Sequence, residues 1–245
     1  MAASKIKRVL PLALIVLDTT EPSLIPRLGD FPDWFRAGLG LSDRALWMCD
    51  ARSGGPLPRA DSIRGAILTG SAAMVTDREA WSVNTAKWLC EVIPLGVPVL
   101  GICYGHQLLA DALGGRVDWN PNGREIGTIR VQRAPDAEGD PLFGGLPEQF
   151  LAQSSHSQSV VELPPGARIA AANPHDRHQA VVFTPRVFGV QFHPEFSGGV
   201  SRGYIEARRV ALAEEGLDPD ALSAACDDSP ESNALLARFE ALCRT

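Results

Sequence analysis

Two hydrophobic rhythms alternate along the first half of the chain. Short, nearly unbroken apolar runs occur within residues 9–17, 45–50, 64–70 and 96–100. Each is too brief for a helix and lacks the one-sided alternation of a half-exposed strand, which predicts strands buried on both faces. Between them lie segments of helical period. Residues 31–39 read as a short helix, and residues 77–93 carry Trp81, Ala86, Leu89 and Ile93 at roughly helical spacing. Residues 104–113 group Leu108, Leu109, Ala112 and Leu113 on one side, with Gly114-Gly115 closing the helix.

The order strand, helix, strand, strand, helix, strand, helix favours a mostly parallel sheet with its reactive loops at the carboxyl ends of the strands. From Arg116 the texture changes. Residues 127–131, 150–153, 167–171 and 179–191 look like strands separated by Gly, Pro and Asp turns. The expected architecture is therefore α/β: a mostly parallel central sheet with helices on both faces, a flavodoxin-like core and a smaller mixed or antiparallel strand region. Residues 201–215 predict a closing helix. Residues 232–242 predict another, with Leu235, Phe239 and Leu242 at i, i+4 and i+7, and the polar residues 225–231 between them predict a flexible connection. We expect one domain over residues 1–216, with a C-terminal helical extension, 217–245, packed on it.

Composition narrows the function classes. A formal net charge of −6 and a pI near 5.4 argue against a broad basic surface for nucleic acid or anionic membrane. Lys5-Ile6-Lys7-Arg8 reads as a solvated lead-in. The apolar run after it imitates a signal peptide but ends in Asp18-Thr19-Thr20-Glu21 without a small-x-small cleavage pattern, so it is read as a first strand. No run approaches the roughly 18 apolar residues of a membrane span, and a soluble, cytoplasmic protein is expected. The five cysteines are odd in number and scattered, with no C-x-x-C pair, as suits a reducing compartment and not structural zinc.

One cysteine stands out. Gly101-Ile102-Cys103-Tyr104-Gly105 puts a thiol where a strand should turn sharply into a helix, the cysteine counterpart of the G-x-S-x-G elbow. The amino end of a helix favours thiolate, and the Tyr104 N–H is a candidate oxyanion donor. The same pentapeptide also suits a small buried core cysteine. A base is available ninety residues on, in His193-Pro194-Glu195: if locally extended, both side chains project to one side and the carboxylate orients the imidazole. His106 would have to fold back over the first helical turn to serve instead. His156 lies in a polar loop, suited either to substrate contact or to solvation, and His175 and His178 flank an exposed turn. No H-E-x-x-H pattern occurs, and neither a metal nor a cofactor is expected.

Gly101-Ile102-Cys103-Tyr104-Gly105-His106-Gln107 followed by His193-Pro194-Glu195 resembles the class I glutamine amidotransferases, particularly the glutaminase domain of GMP synthase and its stand-alone relatives. The resemblance covers about Leu12 to Glu206 and includes Ala66-Ile67-Leu68-Thr69-Gly70-Ser71, Gly114-Gly115-Arg116-Val117 and Arg124-Glu125-Ile126-Gly127. It implies that Cys103 attacks a glutamine side-chain amide, that His193 protonates the departing ammonia, and that Glu195 orients His193. A γ-glutamyl thioester is then hydrolysed. It further implies an oxyanion hole from the backbone of Tyr104 and Ser71, and substrate contacts at Gly70, Gln107, His156 and Ser157. Two departures stand out: Gly70-Ser71 where the family usually has Gly-Gly, and Ser155-His156-Ser157-Gln158 where the GMP synthase domain has Ser-His-Gly-Asp. The chain also shows no glycine-rich phosphate loop and has no room for an ATP-pyrophosphatase domain, so GMP synthesis by this chain alone is not expected.

The expected function is hydrolysis of a small-molecule γ-glutamyl amide, either glutamine or a γ-glutamylated metabolite. The alternatives are a glutaminase subunit delivering ammonia to a separate synthetase and a non-enzymatic binding or regulatory module that retains the fold.

Overall fold

The computed structural model describes residues 10–245, so Lys5, Ile6, Lys7, Arg8 and the Val9 start of the expected first strand lie outside the described residues. The first half follows the predicted rhythm: β1 (Leu12–Val16), α1 (Ile25–Leu28), α2 (Phe31–Leu39), β2 (Leu46–Asp50), β3 (Gly65–Leu68), α3 (Ala80–Val92), β4 (Val99–Ile102) and α4 (Tyr104–Ala112). Strands dominate the next stretch: β5 (Arg116–Trp119), β6 (Glu125–Arg133), β7 (Gln149–His156), β8 (Gln158–Glu162), β9 (Arg168–Ala172), β10 (Ala180–Thr184) and β11 (Val187–Val190). Four helices follow: α5 (Gly198–Ala207), α6 (Arg209–Glu214), α7 (Pro219–Ala224) and α8 (Pro230–Leu242).

Nine strands form one sheet in the order β2-β1-β3-β4-β11-β10-β9-β6-β7. From β2 to β11 the pairing is parallel, and from β11 to β7 it is antiparallel. The antiparallel region is thus a continuation of the parallel sheet, joined to it through β11, while β5 and β8 form a separate antiparallel pair. Alternate residues of the buried strands feed two cores. Leu12, Leu14, Ile67 and Leu100 meet α2 and α8 through Phe35, Leu235 and Phe239. Ala13, Ile15, Leu68 and Val99 meet α3 and α4 through Leu89, Leu108 and Leu109 on the other face. Burial on both faces is the physical reason these strands read as continuous apolar runs.

The middle pair, β4 and β11, sets up the site. It runs parallel in the register Gly101↔Gly189 and Ile102↔Val190. A Cβ at Gly101 would lie 2.4 Å from the Gly105 carbonyl oxygen, and one at Gly189 would lie 2.3 Å from His106 Nδ1. Glycine at both positions lets the first turn of α4 sit directly on the sheet.

Several expectations are corrected. The closing helix begins at Gly198, where the Ser197 hydroxyl accepts from the Val200 amide, and it breaks at Arg208 into α5 and α6. Helix α7, capped by the Asp218 carboxylate with Pro219 in its first turn, was not foreseen because its six residues are too few to show a period. The connection read as flexible is fastened instead. The Asp227 amide donates to Thr128 Oγ1 (2.9 Å), its carbonyl accepts from Gln153 Nε2 (2.8 Å), and Ser229 is fully buried. The supposed polar loop around His156 is the end of β7 and the start of β8.

Helix α8 is part of the main core: Leu235, Leu236 and Phe239 have no exposed surface. Phe239→Ala is expected to lower the unfolding free energy by about 3–5 kcal/mol, the usual cost of truncating a buried aromatic, with little change in the denaturant slope. Urea unfolding followed by circular dichroism measures it, and a loss under about 1 kcal/mol would mean that α8 does not contribute to the core.

Candidate active site

Because β4 and β11 are parallel neighbours, the residues leaving their carboxyl ends emerge side by side. Cys103 follows β4 directly, and its amide donates to the Val190 carbonyl at the end of β11 (2.8 Å). Its backbone sits at φ 52°, ψ −104°, a conformation that costs a non-glycine residue on the order of 1–3 kcal/mol and persists only where its surroundings dictate it. Here the Val190 bond and the Gly105 amide, which donates to the Thr69 carbonyl (3.3 Å), hold the turn. Tyr104 begins α4, so its N–H has no acceptor within the helix. Its side chain leaves the site and shares a hydrogen bond with the Ser82 hydroxyl (2.7 Å), and burial raises the phenol to about 12.

His193 follows β11 through a short irregular stretch, and its amide donates to the Gln153 carbonyl (2.7 Å). His193-Pro194-Glu195-Phe196 forms a turn rather than the extended segment expected, closed by the Phe196 amide on the His193 carbonyl (3.3 Å). The turn still brings Glu195 Oε1 to 2.7 Å from His193 Nδ1, with both side chains buried. The imidazole stacks on Phe196 at a centroid separation of 4.1 Å. Opposite, a Cβ at Gly70 would lie 2.9 Å from His193 Cε1, so Gly70 gives the ring its room. From α8, the Asn233 side-chain amide donates to the carbonyls of Pro194 (2.5 Å) and Phe196 (2.9 Å), bracketing Glu195.

The electrostatics favour separated charge. Burial alone would raise the Cys103 thiol above its ordinary 9.0, but the attraction and hydrogen-bonding reach of His193, with a smaller attraction from His156, bring it below that value. Burial alone would lower His193, but Glu195 and the Cys103 thiolate raise it to about 10. Each group therefore favours the charged form of the other, the imidazolium stabilising thiolate and the thiolate stabilising imidazolium. His106, by contrast, packs over Gly189 and against Phe183 with neither ring nitrogen hydrogen-bonded, and burial takes it down to about 3.

The remaining predicted residues line the same cavity of about 250 Å³, which Cys103 and His193 also line. On the loop after β3, Ser71 gives its hydroxyl to Asp18 Oδ2 (2.8 Å), and the Ala72 amide donates to the same oxygen (3.2 Å). Asp18 is in turn paired with Arg52, so the loop is pinned. On α4, Gln107 Nε2 donates to the Gln158 carbonyl (2.7 Å) and to Gln191 Oε1 (3.0 Å). Both its hydrogens are spoken for, which leaves Oε1 as the group it can offer a ligand. Ser157 lines the cavity at the turn from β7 to β8, and the Ser155 carbonyl lies 3.9 Å from Cys103 Sγ.

His156 is buried, not solvated. Its Nε2 meets Glu125 Oε2 (3.0 Å) and its Nδ1 meets the Gln158 carbonyl (2.9 Å). Both partners are acceptors, so the ring is held charged: burial opposes this, and the hydrogen bond and charge of Glu125 overcome it. Glu125 also accepts from Ser154, Asn173 and Gln179. Sequence reasoning gave Glu125 no role, and it passed over Asn233 and Asp18, each of which matters only through a partner distant in the chain. Among the described residues, no group of three or more His, Cys, Asp or Glu side chains is placed to hold a metal, and no helix is long and apolar enough to cross a membrane.

A parallel sheet, a strained cysteine at a strand-to-helix elbow and an imidazole lining the same cavity are parts that nucleophilic thiol chemistry uses. The chain belongs to the class-I glutamine amidotransferase family, whose profile, "Glutamine amidotransferase class-I", matches residues 57–211, and it is a cysteine-dependent enzyme of that class. A GMP synthase (glutamine-hydrolyzing) from Staphylococcus saprophyticus is 39% identical over 133 residues, covering 54% of this chain and 24% of that protein. The chain thus matches only about a quarter of the length of that relative. The fold is shared with a glutamine amidotransferase from Thermotoga maritima (TM-score 0.73, 22% identity, 95% of this chain and 97% of that one). It is also shared with a glutamine amido transferase from Methylobacillus flagellatus (TM-score 0.70, 24% identity, 96% and 90%).

The charge separation sets a measurable order of reactivity. At pH 7 iodoacetamide should alkylate Cys103 faster than the exposed Cys90, as read by peptide mass spectrometry, with a rate that falls as acid reprotonates the thiolate through a midpoint below 9.0. In His193→Ala the burial penalty loses its main opponent, so the midpoint moves up and the pH 7 rate drops at least about tenfold. Gly70→Ala, which displaces the ring, should move the midpoint the same way by less. A profile identical in all three proteins would show that the imidazole does not act on the thiol.

Proposed function

We propose that the chain hydrolyses the γ-amide of a γ-glutamyl compound, glutamine or a γ-glutamylated small molecule, through a thioester on Cys103. The observation that carries this reading is the Cys103, His193 and Glu195 cluster assembled across β4 and β11, with the thiol lowered and the imidazole raised. Nucleophile, proton donor and orienting acid are the three parts that acyl transfer through a covalent intermediate needs.

The Cys103 thiolate attacks the γ-carbonyl carbon, and the carbonyl electrons move onto oxygen. The Tyr104 N–H, free at the start of α4, and the Ser71 N–H on the pinned loop are the donors for that oxyanion. His193 already carries a proton, which it gives to the departing nitrogen as the C–N bond breaks, leaving the γ-glutamyl thioester and a free amine or ammonia. Neutral His193 then takes a proton from water as the water attacks the thioester. Glutamate leaves, and the thiolate and imidazolium are restored. Glu195 holds Nδ1–H throughout and stabilises the ring's charge. The amino-acid end of the substrate lies toward Ser157, His156 and Gln107, whose free Oε1 suits an α-ammonium group.

A second reading keeps the chemistry and passes the ammonia to a separate synthetase partner. What favours it is the likeness to one part of a much longer GMP synthase. Full activity of the isolated chain on a γ-glutamyl metabolite supports the first reading, and stimulation of glutamine hydrolysis by a co-purifying synthetase supports the second.

Release of ammonia from glutamine and of amine from a γ-glutamyl amide panel is the direct test. Cys103→Ala should lose at least about 10⁴-fold in turnover while melting at an unchanged temperature. Failure of every amide to react with the unaltered protein would refute hydrolysis.

A further inference from the structure

The cavity contains a cation that the chemistry above leaves unused. Arg208, just past the end of α5, lies with its guanidinium carbon 4.8 Å over the Tyr204 ring, and both residues line the cavity that Cys103 and His193 line. Its Nη1 is buried without a hydrogen-bond partner. No carboxylate lies within ion-pair distance among the described residues. The other arginine of the cavity, Arg124, is held by both oxygens of Glu215 at 2.8 Å. Glu21, also on the cavity wall, acts on Arg208 only at longer range. Burial lowers the Arg208 pKa, yet a guanidinium stays charged at any physiological pH. A buried, unpaired donor of this kind is costly to leave unmatched, which makes it a recognition group awaiting an anion.

Its position says which end of the substrate it meets. The leaving nitrogen has to face His193, its proton donor. Behind the cavity, His193 stacks on the buried Phe196 (4.1 Å between ring centroids), Phe196 stacks on Tyr204 (5.0 Å), and Tyr204 carries Arg208 over its ring, so the imidazole and the guanidinium are linked through one aromatic stack. Tyr204 is held there by a 2.6 Å hydrogen bond to Thr20. In the hydrolase reading the amino-acid end of the glutamyl group meets Gln107 and the turn at Ser157, which line the same cavity. A substituent on the leaving nitrogen starts beside His193 and has Tyr204 and the Arg208 guanidinium on the wall of the same cavity to meet.

Resting on the hydrolase reading above, we infer that Arg208 is a specificity-determining residue that selects γ-glutamyl amides whose amine carries a carboxylate, the γ-glutamyl derivatives of amino acids. The ammonia of glutamine carries no such group.

Matched pairs of substrates test this: γ-glutamyl-β-alanine against γ-glutamyl-n-propylamide, and γ-glutamyl-glycine against γ-glutamyl-ethylamide. The unaltered protein should favour the acidic member of at least one pair by about tenfold or more in kcat/KM, a comparison that needs no variant. Arg208→Gln should reduce that acidic-to-neutral ratio by about 10- to 100-fold, the range for losing one charge-assisted contact. Calorimetry with Cys103→Ala protein reads the same preference as binding, independent of turnover. Equal kcat/KM within both pairs overturns the inference while leaving hydrolysis standing. An equal loss on acidic and neutral substrates in Arg208→Gln also overturns it, because it assigns the guanidinium to the glutamyl carboxylate that both share. No turnover of any member refutes the hydrolase reading itself, and the calorimetric preference then decides the recognition of the carboxylate separately.

Discussion

The hydrogen-bonded parallel pairing of β4 with β11 is the constraint on which the site depends. It converts a separation of ninety residues into adjacency, and its register sets which residues become neighbours. A slip by one position would reverse the facing of every side chain on the strand and carry the imidazole to the wrong side. Both strands are buried on both faces, so the slip would also drive Phe188 and Val190 out of their core positions. The apolar packing that makes these segments strands is thus what keeps the thiol and the imidazole in register.

On that rigid base the protein maintains buried charge in two linked places. Cys103, His193 and Glu195 form one group, and His156 with Glu125 forms the other. Isolated ions would be expelled from such an interior or neutralised. Here each charge faces an opposite one, and Glu125 accepts hydrogen bonds from three further side chains. The second group also bears on the first, since the charge on His156 contributes to lowering the Cys103 thiol. Polar residues in β7 and β8 that would mark a surface loop elsewhere here make up the wall of a site that handles charge.

The parallel half of the fold was legible because its strands and helices obey single-period rules: residues 31–39, read as a helix from the pattern, are α2. Cys103 and the His193-Pro194-Glu195 run could be picked out because a glycine-flanked thiol and a paired imidazole and carboxylate are local patterns. What escaped is long-range. The 153–158 segment looked solvated because sequence does not show that Glu125 and Thr76 await its polar groups. Helix α7 is too short for periodicity, and the stretch after it looked free because its partners, Thr128 and Gln153, lie far back in the chain. The turn at His193 replaced the extended segment expected, yet the contact with Glu195 survived because both geometries bring residues two apart to the same side.

The two amide hydrogens of Asn233 tie the backbone around Glu195 to the docking of α8. The helix is anchored in the core by Leu235, Leu236 and Phe239 and reaches from there to the backbone on either side of Glu195. A shift in the seating of that one helix is therefore passed to the turn that carries His193 and Glu195, so packing at the far end of the chain and the spacing of that pair are one and the same constraint.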